Sequence, residues 1–446
     1  MDMNSTPAQH YAAHHAELLG RYESVLAEQG LAGILIFAGA PRIAYQDDRT
    51  YPFMINPWYQ QWVPAHDHAW SILVLRPEHR PRLICHQPRD YWHVVPAEPD
   101  GFWPTHFDIV SAGSPDEVLK SLPDSLAGFA LLGEPDAALA ALLPGAINPP
   151  GLVSALQFQR LYKTPYEVAC MREANEIAAR AHLAARDAFA AGASEFGIHL
   201  AYLESTGQTE ALLPYTNIVA LNEHAATLHY DACDRVQPPG RHAFLIDAGA
   251  DCNGYAADIT RTWPGEGETR FAELVGLLDD AQQALIEGIR PGQSYVDLHL
   301  GMHEVIGGIL AQSGLVDMPP AEMVATGVTS AFFPHGLGHH IGLQVHDVAG
   351  KVADPAGTPL TQPEAHPFLR NLRPVETGNV FTVEPGIYFI DQLLEPLREQ
   401  PAGRAVNWEA VAALAPCGGV RIEDDIAVTG DGVVNLTRRA FAGIDG

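Results

Sequence analysis

Two aspartates lie inside apolar, strand-like arms of one short stretch of this chain. The stretch, LIDAGADCNGYAADITRTW at residues 245–263, carries Asp247 and Asp258 on either side of an Asn-Gly turn signal. Strands disfavour Asp, and like charges on facing strands repel. If residues 251–254 form the loop, the two carboxylates lie directly opposite one another, and a cation between them removes the conflict. The alternative is that one Asp is exposed at a bulge or pairs with Arg261.

Two glutamates interrupt other apolar segments further along the chain. In VFTVEPGIYF, residues 380–389, Glu384 follows a buried strand, and in GGVRIEDDIAV, residues 418–428, Arg421 and Glu423 point to one face of a strand. Taken separately, each segment favours a solvated face or a structural ion pair. Together with the two aspartates, they place four carboxylates among apolar residues, where acids are stable only when they are neutralised.

A histidine-rich segment lies between these two pairs of acids. FFPHGLGHHIGLQVHD carries His335, His339, His340 and His346 among glycines, and so many glycines favour a shaped loop over a regular helix. Four carboxylates and one imidazole suit two divalent ions about 3.5–4 Å apart that share bridging carboxylates. The oxygen-rich donor set favours Mn²⁺ or Co²⁺ over a thiolate-bound zinc, although zinc remains an alternative.

The elements that position these residues divide into two predicted domains, as expected for 446 residues. HAELLGRYESVLAEQG is predicted to be a helix, and GILIFAG, SILVL and RLICH are predicted to be buried strands. Thr164 and Glu167 form a capping box around Pro165, which marks a helix start. We therefore predict an N-terminal α/β domain at residues 1–159 and an α+β domain at residues 160–446.

The second domain contains a faint internal duplication. AGASEFGIHL and RPGQSYVDLHL share a Ser followed by a helical pattern that ends in His-Leu. Serine is a common N-cap, which explains part of the match. The repeat predicts two related α+β halves with a site where they meet.

The overall composition limits the partners and the compartment. A formal net charge of −28 argues against nucleic acid and anionic membranes as partners. The five cysteines contain no CxxC pair, no signal peptide is recognisable, and no run approaches the ~18–20 apolar residues of a membrane span. These features predict a soluble protein of the cytoplasm.

The order of the motifs resembles a known family. D(x)10D, HGxGH, EPGIY and RIED follow one another as in the pita-bread metallopeptidases, which include methionine aminopeptidase, aminopeptidase P and prolidase. The chain is most similar to the bacterial Xaa-Pro dipeptidases (prolidases), which in turn resemble organophosphorus acid anhydrolases. The similarity extends through DDRTYPFMINPWYQQWVP, NIVALNEHAATLHY and GLQVHDVAG. It implies a C-terminal pita-bread (creatinase/aminopeptidase-like) domain with internal pseudo-two-fold symmetry, preceded by a smaller creatinase-type α/β domain.

The resemblance also implies a metal centre of two divalent ions per subunit, with Mn²⁺ expected first and Co²⁺ or Zn²⁺ as alternatives. Asp258 and Glu423 would bridge the ions and Asp247 would bind one of them, whereas His335 and His340 would not be ligands. The full implied ligand set is Asp247, Asp258, His339, Glu384 and Glu423.

Further roles follow from the same resemblance. Glu384 would accept the proton of the attacking water and pass it to the proline nitrogen, with His229 and His346 as further catalytic groups. Arg370 would bind the substrate carboxylate, and Asp48 would reach the partner's site in a homodimer. The implied substrate-binding residues are Arg370, His229, His335, His346, Arg421, Tyr215 and Asp48.

The implied activity is hydrolysis of Xaa-Pro dipeptides by a water that the metal ions acidify. Side activity on organophosphorus triesters is a further expectation. The alternative enzyme is an aminopeptidase P acting on longer Xaa-Pro peptides. An alternative from another class is a metal-free binding module with the same fold. Such relatives lack the acids, whereas this chain keeps all five ligand positions.

Overall fold

The computed structural model describes residues 5–444, which form two compact units. The first unit contains the chain up to Cys170 together with Cys252–Tyr255 and Val352–Thr358. The second unit contains Met171–Asp251, Ala256–Lys351 and the chain from Pro359 onward. The domain boundary at residue 159 stays a prediction.

The first unit is built on a five-stranded sheet with helices around it. The sheet has the strand order β4-β3-β2-β1-β5, in which β1 pairs parallel with β5 and antiparallel with β2. Its apolar residues form one buried cluster around β1, β2, β3 and β5. The elements are α1 (Pro7–Gln29), β1 (Gly33–Phe37), α2 (Pro57–Gln60), β2 (Ile72–Leu75), β3 (Arg82–His86), β4 (Asp108–Ala112), α3 (Pro115–Lys120), β5 (Phe129–Leu132), α4 (Ala137–Leu142) and α5 (Pro150–Gln159).

The local predictions for this unit are confirmed. Helix α1 ends at Gly30, which adopts φ 65° as a left-handed C-cap. The three predicted strands are β1, β2 and β3, and β1 is buried at every position because both faces of the sheet are covered. Glu167 Oε2 accepts from the backbone N–H of Thr164 at 2.7 Å, which completes the predicted capping box where the next helix, α6 (Pro165–Ala190), begins.

The second unit alternates helices with short antiparallel strands, which confirms the α+β prediction. Two three-stranded sheets, β10-β7-β6 and β11-β14-β15, form its centre. The elements that follow α6 in the chain, of which β8 and β9 each have one residue in the first unit, are α7 (Glu195–Thr206), β6 (Ile218–Leu221), β7 (Ala243–Asp247), β8 (Asp251–Cys252), β9 (Tyr255–Ala256), β10 (Thr260–Pro264), α8 (Thr269–Gly288), α9 (Tyr295–Gln312), α10 (Pro320–Ala325), α11 (Val328–Phe332), β11 (Val380–Val383), β12 (Gly386–Tyr388), α12 (Asp391–Arg398), α13 (Trp408–Leu414), β13 (Gly419–Arg421), β14 (Asp424–Val428), β15 (Val433–Asn435) and α14 (Leu436–Ile444).

The two serines of the internal repeat begin corresponding helices. Ser194 caps α7 by accepting from the N–H of Gly197, and Ser294 caps α9 by accepting from the N–H of Asp297. In each half a pair of helices, α6 and α7 or α8 and α9, comes before a three-stranded antiparallel sheet, and the second half adds the short helices α10 and α11 between them. The duplication in the sequence therefore corresponds to a repeated structural unit.

The predicted strand register around Asp247 and Asp258 is wrong. Asp247 pairs with Thr260, so the register is shifted by two residues and Asp258 is the diagonal neighbour of Asp247. The cause is a two-residue turn: Asn253 and Gly254 adopt φ 56° and 89°, as the Asn-Gly signal for a type I′ turn requires. A shift of two residues keeps both side chains on the same face of the sheet, and the two carboxylates still converge.

The acids of the second half follow the predicted strands, and the histidine-rich segment is a loop. Glu384 lies between β11 and β12, and Glu423 lies between β13 and β14, where it bridges to Thr260 of β10. None of the helices in the described part of the chain, residues 5–444, combines the length and apolar character needed to cross a bilayer.

Candidate active site

A cavity of about 450 Å³ in the second unit collects most of the predicted site residues. It contains all five predicted metal ligands, together with seven residues that the sequence did not single out for function. The residues that line it are Leu228, His229, Asp247, Asp258, Pro334, His335, Gly336, Gly338, His339, His346, Lys351, Pro367, Phe368, Arg370, Glu384, Arg421 and Glu423.

The two aspartates share a single hydrogen-bond donor. The hydroxyl of Tyr215 lies 2.8 Å from Oδ1 of Asp247 and 2.5 Å from Oδ1 of Asp258. Arg421 donates from Nη2 to the second oxygen of Asp247 at 2.8 Å. These contacts fix the orientation of both carboxylates and leave Oδ2 of Asp258 directed toward the histidine loop.

Glu423 lies on the same cluster and is fully buried. Thr260 donates its hydroxyl to Oε2 of Glu423 at 2.7 Å, and Arg261 donates to the backbone carbonyl of Glu423 at 2.8 Å. One ligand atom from each of Asp258, His339 and Glu423 lies within 4.8 Å of the others. These three residues come from three separate segments, so the fold itself assembles the cluster.

His339 presents its Nε2 atom to the carboxylates. Its Nδ1 donates to the carbonyl of His340 at 3.0 Å, and its backbone N–H donates to the hydroxyl of Thr382 at 3.1 Å. Nε2 lies 3.4 Å from Oδ2 of Asp258 and 3.7 Å from Oε1 of Glu384. Donation of Nδ1–H to a carbonyl is the usual way to hold a metal-binding histidine in the correct tautomer.

The electrostatics of the cluster show an excess of buried negative charge. Burial, together with the acids around it, raises the pKa of Glu423 well above its ordinary value. Burial and the nearby Asp258 raise the pKa of Glu384 to about 7, although His339 opposes the rise. Burial also raises the pKa of Asp247, against the pull of Arg421. These carboxylates therefore need more positive charge than the surrounding side chains supply.

Asp258 and His339 are shifted in the opposite sense because they stabilise one another. Burial would raise the pKa of Asp258, but the hydrogen bond and charge of His339 outweigh it and hold that pKa below its usual value. Burial would likewise lower the pKa of His339, yet Asp258 and Glu384 raise it to about 9. The raised pKa of His339 indicates that the carboxylates around it stabilise a positive charge at this position.

This donor set fits divalent ions. Four carboxylates and one imidazole nitrogen face one another in an apolar setting, and a bound cation favours the ionised form of each acid. Oxygen-rich sets of this kind suit Mn²⁺ and related ions. The residues present therefore fit the metal centre that the sequence implied.

His335 is held as a neutral imidazole at the wall of the cavity. Burial and the charge of Arg421 lower its pKa to about 3. Arg421 donates from Nη1 to the hydroxyl of Tyr388 at 3.0 Å, and that hydroxyl lies 2.7 Å from Nε2 of His335. Nδ1 of His335 faces the carbonyl of Gly336 at 2.9 Å, so Nδ1–H donates there and Nε2 accepts from Tyr388.

The other predicted pocket residues lie where the cavity opens. His229, His346 and Arg370 are all exposed and line it. The ring of His346 packs edge-on against that of His339 with centroids 4.4 Å apart. Lys351 also lines the cavity. The sequence reasoning missed Lys351 because a single exposed lysine carries no motif.

Two of the predicted substrate-binding residues, Tyr215 and Asp48, do not line the cavity. Tyr215 contacts the two aspartates through its hydroxyl instead of lining the cavity. Asp48 lies in the first unit on an exposed turn, where its own N–H bonds to the side chain of Asp47. Their roles in substrate binding stay predictions. His340, predicted not to be a ligand, is buried beside Phe381.

Behind the cluster lie supporting residues that the sequence reasoning did not identify. The N–H of Asp258 donates to the carboxylate of Asp425 at 3.1 Å, and Asn175 donates to the same oxygen at 2.8 Å. Arg261 pairs with Asp424 at 2.6 Å, which ties β10 to β14. The only signal for Asp424 and Asp425 was the run of three acids in RIEDD, and strand alternation could not identify their partners.

Comparison with known proteins establishes the class. Residues 169–430 match the Metallopeptidase family M24, and residues 9–158 match the Xaa-Pro dipeptidase N-terminal domain. The chain belongs to metallopeptidase family M24 and is a metal-dependent peptidase of the pita-bread fold, which confirms the predicted family and fold.

Relatives from two bacterial species match over nearly the full length. A protein of Aeromonas hydrophila described as Xaa-Pro dipeptidase is 46% identical over 439 residues, covering 98% of this chain and 99% of the relative. Another from Stenotrophomonas maltophilia, with the same description, is 46% identical over 440 residues and covers 99% of both chains.

Solved structures of similar fold are aminopeptidases. Escherichia coli aminopeptidase P with the inhibitor Pro-Leu superimposes with a TM-score of 0.73 at 25% identity, covering 95% of this chain and 94% of the other. Proline aminopeptidase P II from Yersinia pestis gives a TM-score of 0.70 at 24% identity, covering 97% and 96%. The latter likeness shows the fold alone.

Proposed function

We propose that this protein is an Xaa-Pro dipeptidase that hydrolyses dipeptides with a C-terminal proline. The observation that carries the proposal is the convergence of five ligand-type residues in a cavity that also contains Arg370 and Lys351. Relatives that are 46% identical over nearly their whole length and are described as Xaa-Pro dipeptidase support the substrate class.

The metal centre of this proposal is dinuclear. Asp258 and Glu423 would be the residues shared by both ions, and their buried carboxylates lie in the same group of potential ligands as His339. Asp247 would help to hold one ion, and His339 with Glu384 would help to hold the other. Bound divalent ions would supply Lewis acidity, which polarises a carbonyl and lowers the pKa of a water toward neutral. Mn²⁺ is the expected ion, with Co²⁺ and Zn²⁺ as alternatives.

Glu384 is placed to move the proton of the reaction. Its carboxylate lines the cavity beside His339 and 3.6 Å from His335. It accepts the proton of the attacking water and delivers it to the proline nitrogen as the amide bond breaks. A general base must lie within hydrogen-bond reach of the proton that it takes, and the position of Glu384 on the cavity wall supports this role.

The imidazoles of the cavity orient the substrate. His335 is held by Tyr388 and Gly336, so it keeps one protonation state near neutral pH. His229 and His346 line the same cavity and contact the substrate carbonyl as negative charge develops on its oxygen. Preorganised donors of this kind stabilise a transition state more than the ground state.

The carboxylate of the C-terminal proline binds at the cationic part of the cavity. Arg370 offers a bidentate fork and Lys351 a second positive charge. In a dipeptide this carboxylate lies close to the scissile bond, whereas in a longer peptide it is replaced by an amide. Cations that line the catalytic cavity therefore favour dipeptides over the longer Xaa-Pro peptides that an aminopeptidase P would accept.

A homodimer in the cytoplasm completes the proposal, with Asp48 of each subunit reading the substrate amino group in the partner's site. Sedimentation analysis tests the assembly. Asp48→Ala should then raise KM for Ala-Pro without changing the metal content. A monomeric enzyme with full activity would contradict this part of the proposal.

A specificity panel tests the proposed activity. Enzyme loaded with Mn²⁺ should cleave Ala-Pro and Gly-Pro and leave Ala-Pro-Ala nearly untouched. Efficient cleavage of the tripeptide would indicate aminopeptidase P activity instead, and a protein that neither takes up metal nor cleaves either peptide would favour the metal-free binding module. A phosphotriester included in the same panel tests the side activity of the anhydrolases.

A further inference from the structure

A group of three histidines lies in the second unit apart from the residues that line the cavity. His299 and His303 are four residues apart on α9, a spacing that puts both rings on one helix face. His366, on the loop between α11 and β11, completes the group. The ring centroids are 4.7 Å apart for His299 and His303, 4.5 Å for His299 and His366, and 4.6 Å for His303 and His366.

The buried nitrogens of these rings lack protein partners. His299 is fully buried and neither of its ring nitrogens makes a hydrogen bond, and Nε2 of the buried His303 makes none either. Buried polar atoms are normally paired. Nδ1 of His303 lies 3.0 Å from the hydroxyl of Thr329, and donation of Nδ1–H to that oxygen leaves the lone pair on Nε2. The fold therefore leaves the group with nitrogens that point to a ligand.

A second group of potential metal ligands in the same unit, around Glu195, differs because its polar atoms are paired within the protein. The carboxylate of Glu195 accepts from the backbone N–H groups of Leu221 and Asp234, from Tyr230 and from His224. Its hydrogen-bonding capacity is used by the protein, so a structural role explains it. The histidine group has no such explanation.

The three imidazoles are in the form that binds metals. Burial lowers the pKa of His299 to about 2 and that of His303 to about 4, and the neighbouring histidines add to both shifts. Burial also lowers the pKa of His366. Each ring is therefore neutral near pH 7, and a metal does not have to displace a proton from it.

We propose that His299, His303 and His366 form a metal site for a borderline divalent cation, with Zn²⁺ as the preferred occupant. One nitrogen from each ring lies within 4.8 Å of the other two. Zinc–nitrogen bonds of about 2.0–2.1 Å in a tetrahedron bring such nitrogens to roughly 3.4 Å apart. Binding therefore requires the three nitrogens to approach to that spacing. Three imidazoles suit zinc, copper or nickel, whereas the carboxylate cluster suits manganese.

An ion at this site would join helix α9 to the loop that carries His366 and several residues of the cavity. His366 is followed by Pro367, Phe368 and Arg370, all of which line the cavity. The ring of Phe333 contacts both His303 and His335, with centroids 4.9 Å away in each case. The trihistidine site therefore lies next to the proposed active site. Pro367, Phe368 and Arg370 line the active-site cavity, whereas the three histidines do not.

Metal counting on the full-length chain tests the site. Wild-type protein equilibrated with Zn²⁺ and freed of unbound metal should contain one more Zn²⁺ per chain than His303→Gln or His366→Ala. His366 is only partly buried, so its replacement preserves the helix packing if His303→Gln fails to fold. The exposed His93→Gln is the control for the same chemical change and should keep the wild-type count.

A double variant distinguishes zinc bound at this site from metal bound at the proposed dinuclear centre. Asp258→Asn with Glu423→Gln removes both proposed bridging ligands and should still bind one Zn²⁺. X-ray absorption of that zinc should show imidazole nitrogens at about 2.0–2.1 Å, and adding His366→Ala should abolish binding. An equal zinc content in wild-type and both histidine variants, or no zinc in the bridging-ligand double variant, would overturn the proposal. Either result leaves the dipeptidase proposal intact.

Discussion

The imidazole Nε2 of His339 lies 3.4 Å from the carboxylate Oδ2 of Asp258. This contact brings together a loop of the second half of the catalytic unit and a strand connection of the first half. It also sets opposite pKa shifts on the two groups, because each stabilises the charged form of the other. The N–H of His339 donates to the hydroxyl of Thr382 in β11. The position of His339 therefore also depends on close packing of its loop against β11.

Replacing Gly338 with Ala should displace His339. A Cβ at Gly338 would overlap the carbonyl of Thr382 and the hydroxyl of Tyr295, both of which are buried. We expect the kcat/KM of Gly338→Ala for Ala-Pro to fall by about 10- to 100-fold, the loss typical when the geometry of a metal ligand is disturbed. Metal affinity should fall in parallel, as measured by competition with a chelator.

The control for this variant is Gly308→Ala in helix α9, where an added Cβ meets nothing within 4 Å. It should leave activity unchanged and raise the free energy of unfolding by up to about 1 kcal/mol, because Ala is the better helix former. Equal activity in Gly338→Ala and Gly308→Ala would show that close packing at Gly338 does not position His339.

Replacing Arg421 with Met should damage the site and the fold together. The change removes the 2.8 Å donor to Asp247 and the 3.0 Å donor to Tyr388. Loss of one partner of a buried ion pair lowers the free energy of unfolding by about 3–5 kcal/mol, which urea titration measures. Arg438→Met, which loses an ion pair to Asp424, should lower stability while activity per folded molecule is retained. Full Ala-Pro turnover in folded Arg421→Met would exclude a positioning role for this residue.

Replacing Arg370 with Ala should weaken dipeptide binding without loss of metal. Removal of a charge-assisted hydrogen bond corresponds to a rise in KM for Ala-Pro of about 10- to 100-fold. Ala-prolinamide, which lacks the carboxylate, should show much less difference between wild type and variant. The exposed Arg439→Ala is the matched control. An unchanged KM would assign the carboxylate to another cation, and Lys351→Ala would then be examined in the same assay.

The first unit should lose stability in mild acid. Burial, aided by His106, His14 and Arg80, lowers the pKa of His15 from 6.5 to about 4. The unfolded chain takes up a proton below pH 6.5 and the folded chain does not, so the free energy of unfolding decreases as pH falls from about 6.5 to about 4. The loss from this group is on the order of 3 kcal/mol.

Urea titrations at about pH 7 and about pH 4.5 measure this loss. His15→Phe replaces the imidazole with a ring of similar shape beside Trp62 and Phe107, and it should show a smaller decrease in stability between the two pH values. The same decrease in wild type and variant would show that His15 does not account for the acid sensitivity.

The sequence was sufficient for the elements that depend on local signals. The capping box at Thr164, the N-caps Ser194 and Ser294, and the left-handed Gly30 each satisfy backbone groups next to them in the chain. The four carboxylates were recognisable because burying unpaired acids is costly, whatever the details of the fold.

The remaining features depend on contacts between distant segments. The Asn-Gly turn signal was visible, but assigning a four-residue loop to it gave the wrong register for Asp247. Tyr215, Tyr388 and Asp425 act through hydrogen bonds to residues far away in the chain. Alternation along RIEDD placed Arg421 and Glu423 on one face, and both line the cavity, but it could not say that Asp424 pairs with Arg261.

Metal titration of the chelated enzyme tests most directly whether the five residues form a working dinuclear centre. Metal-free protein should not hydrolyse Ala-Pro, and Mn²⁺ should restore turnover as two ions bind per chain, whereas Asp258→Asn with Glu423→Gln should recover neither. Full Ala-Pro hydrolysis by the metal-free protein, or restored turnover in the variant that lacks both bridging carboxylates, would contradict the proposed centre.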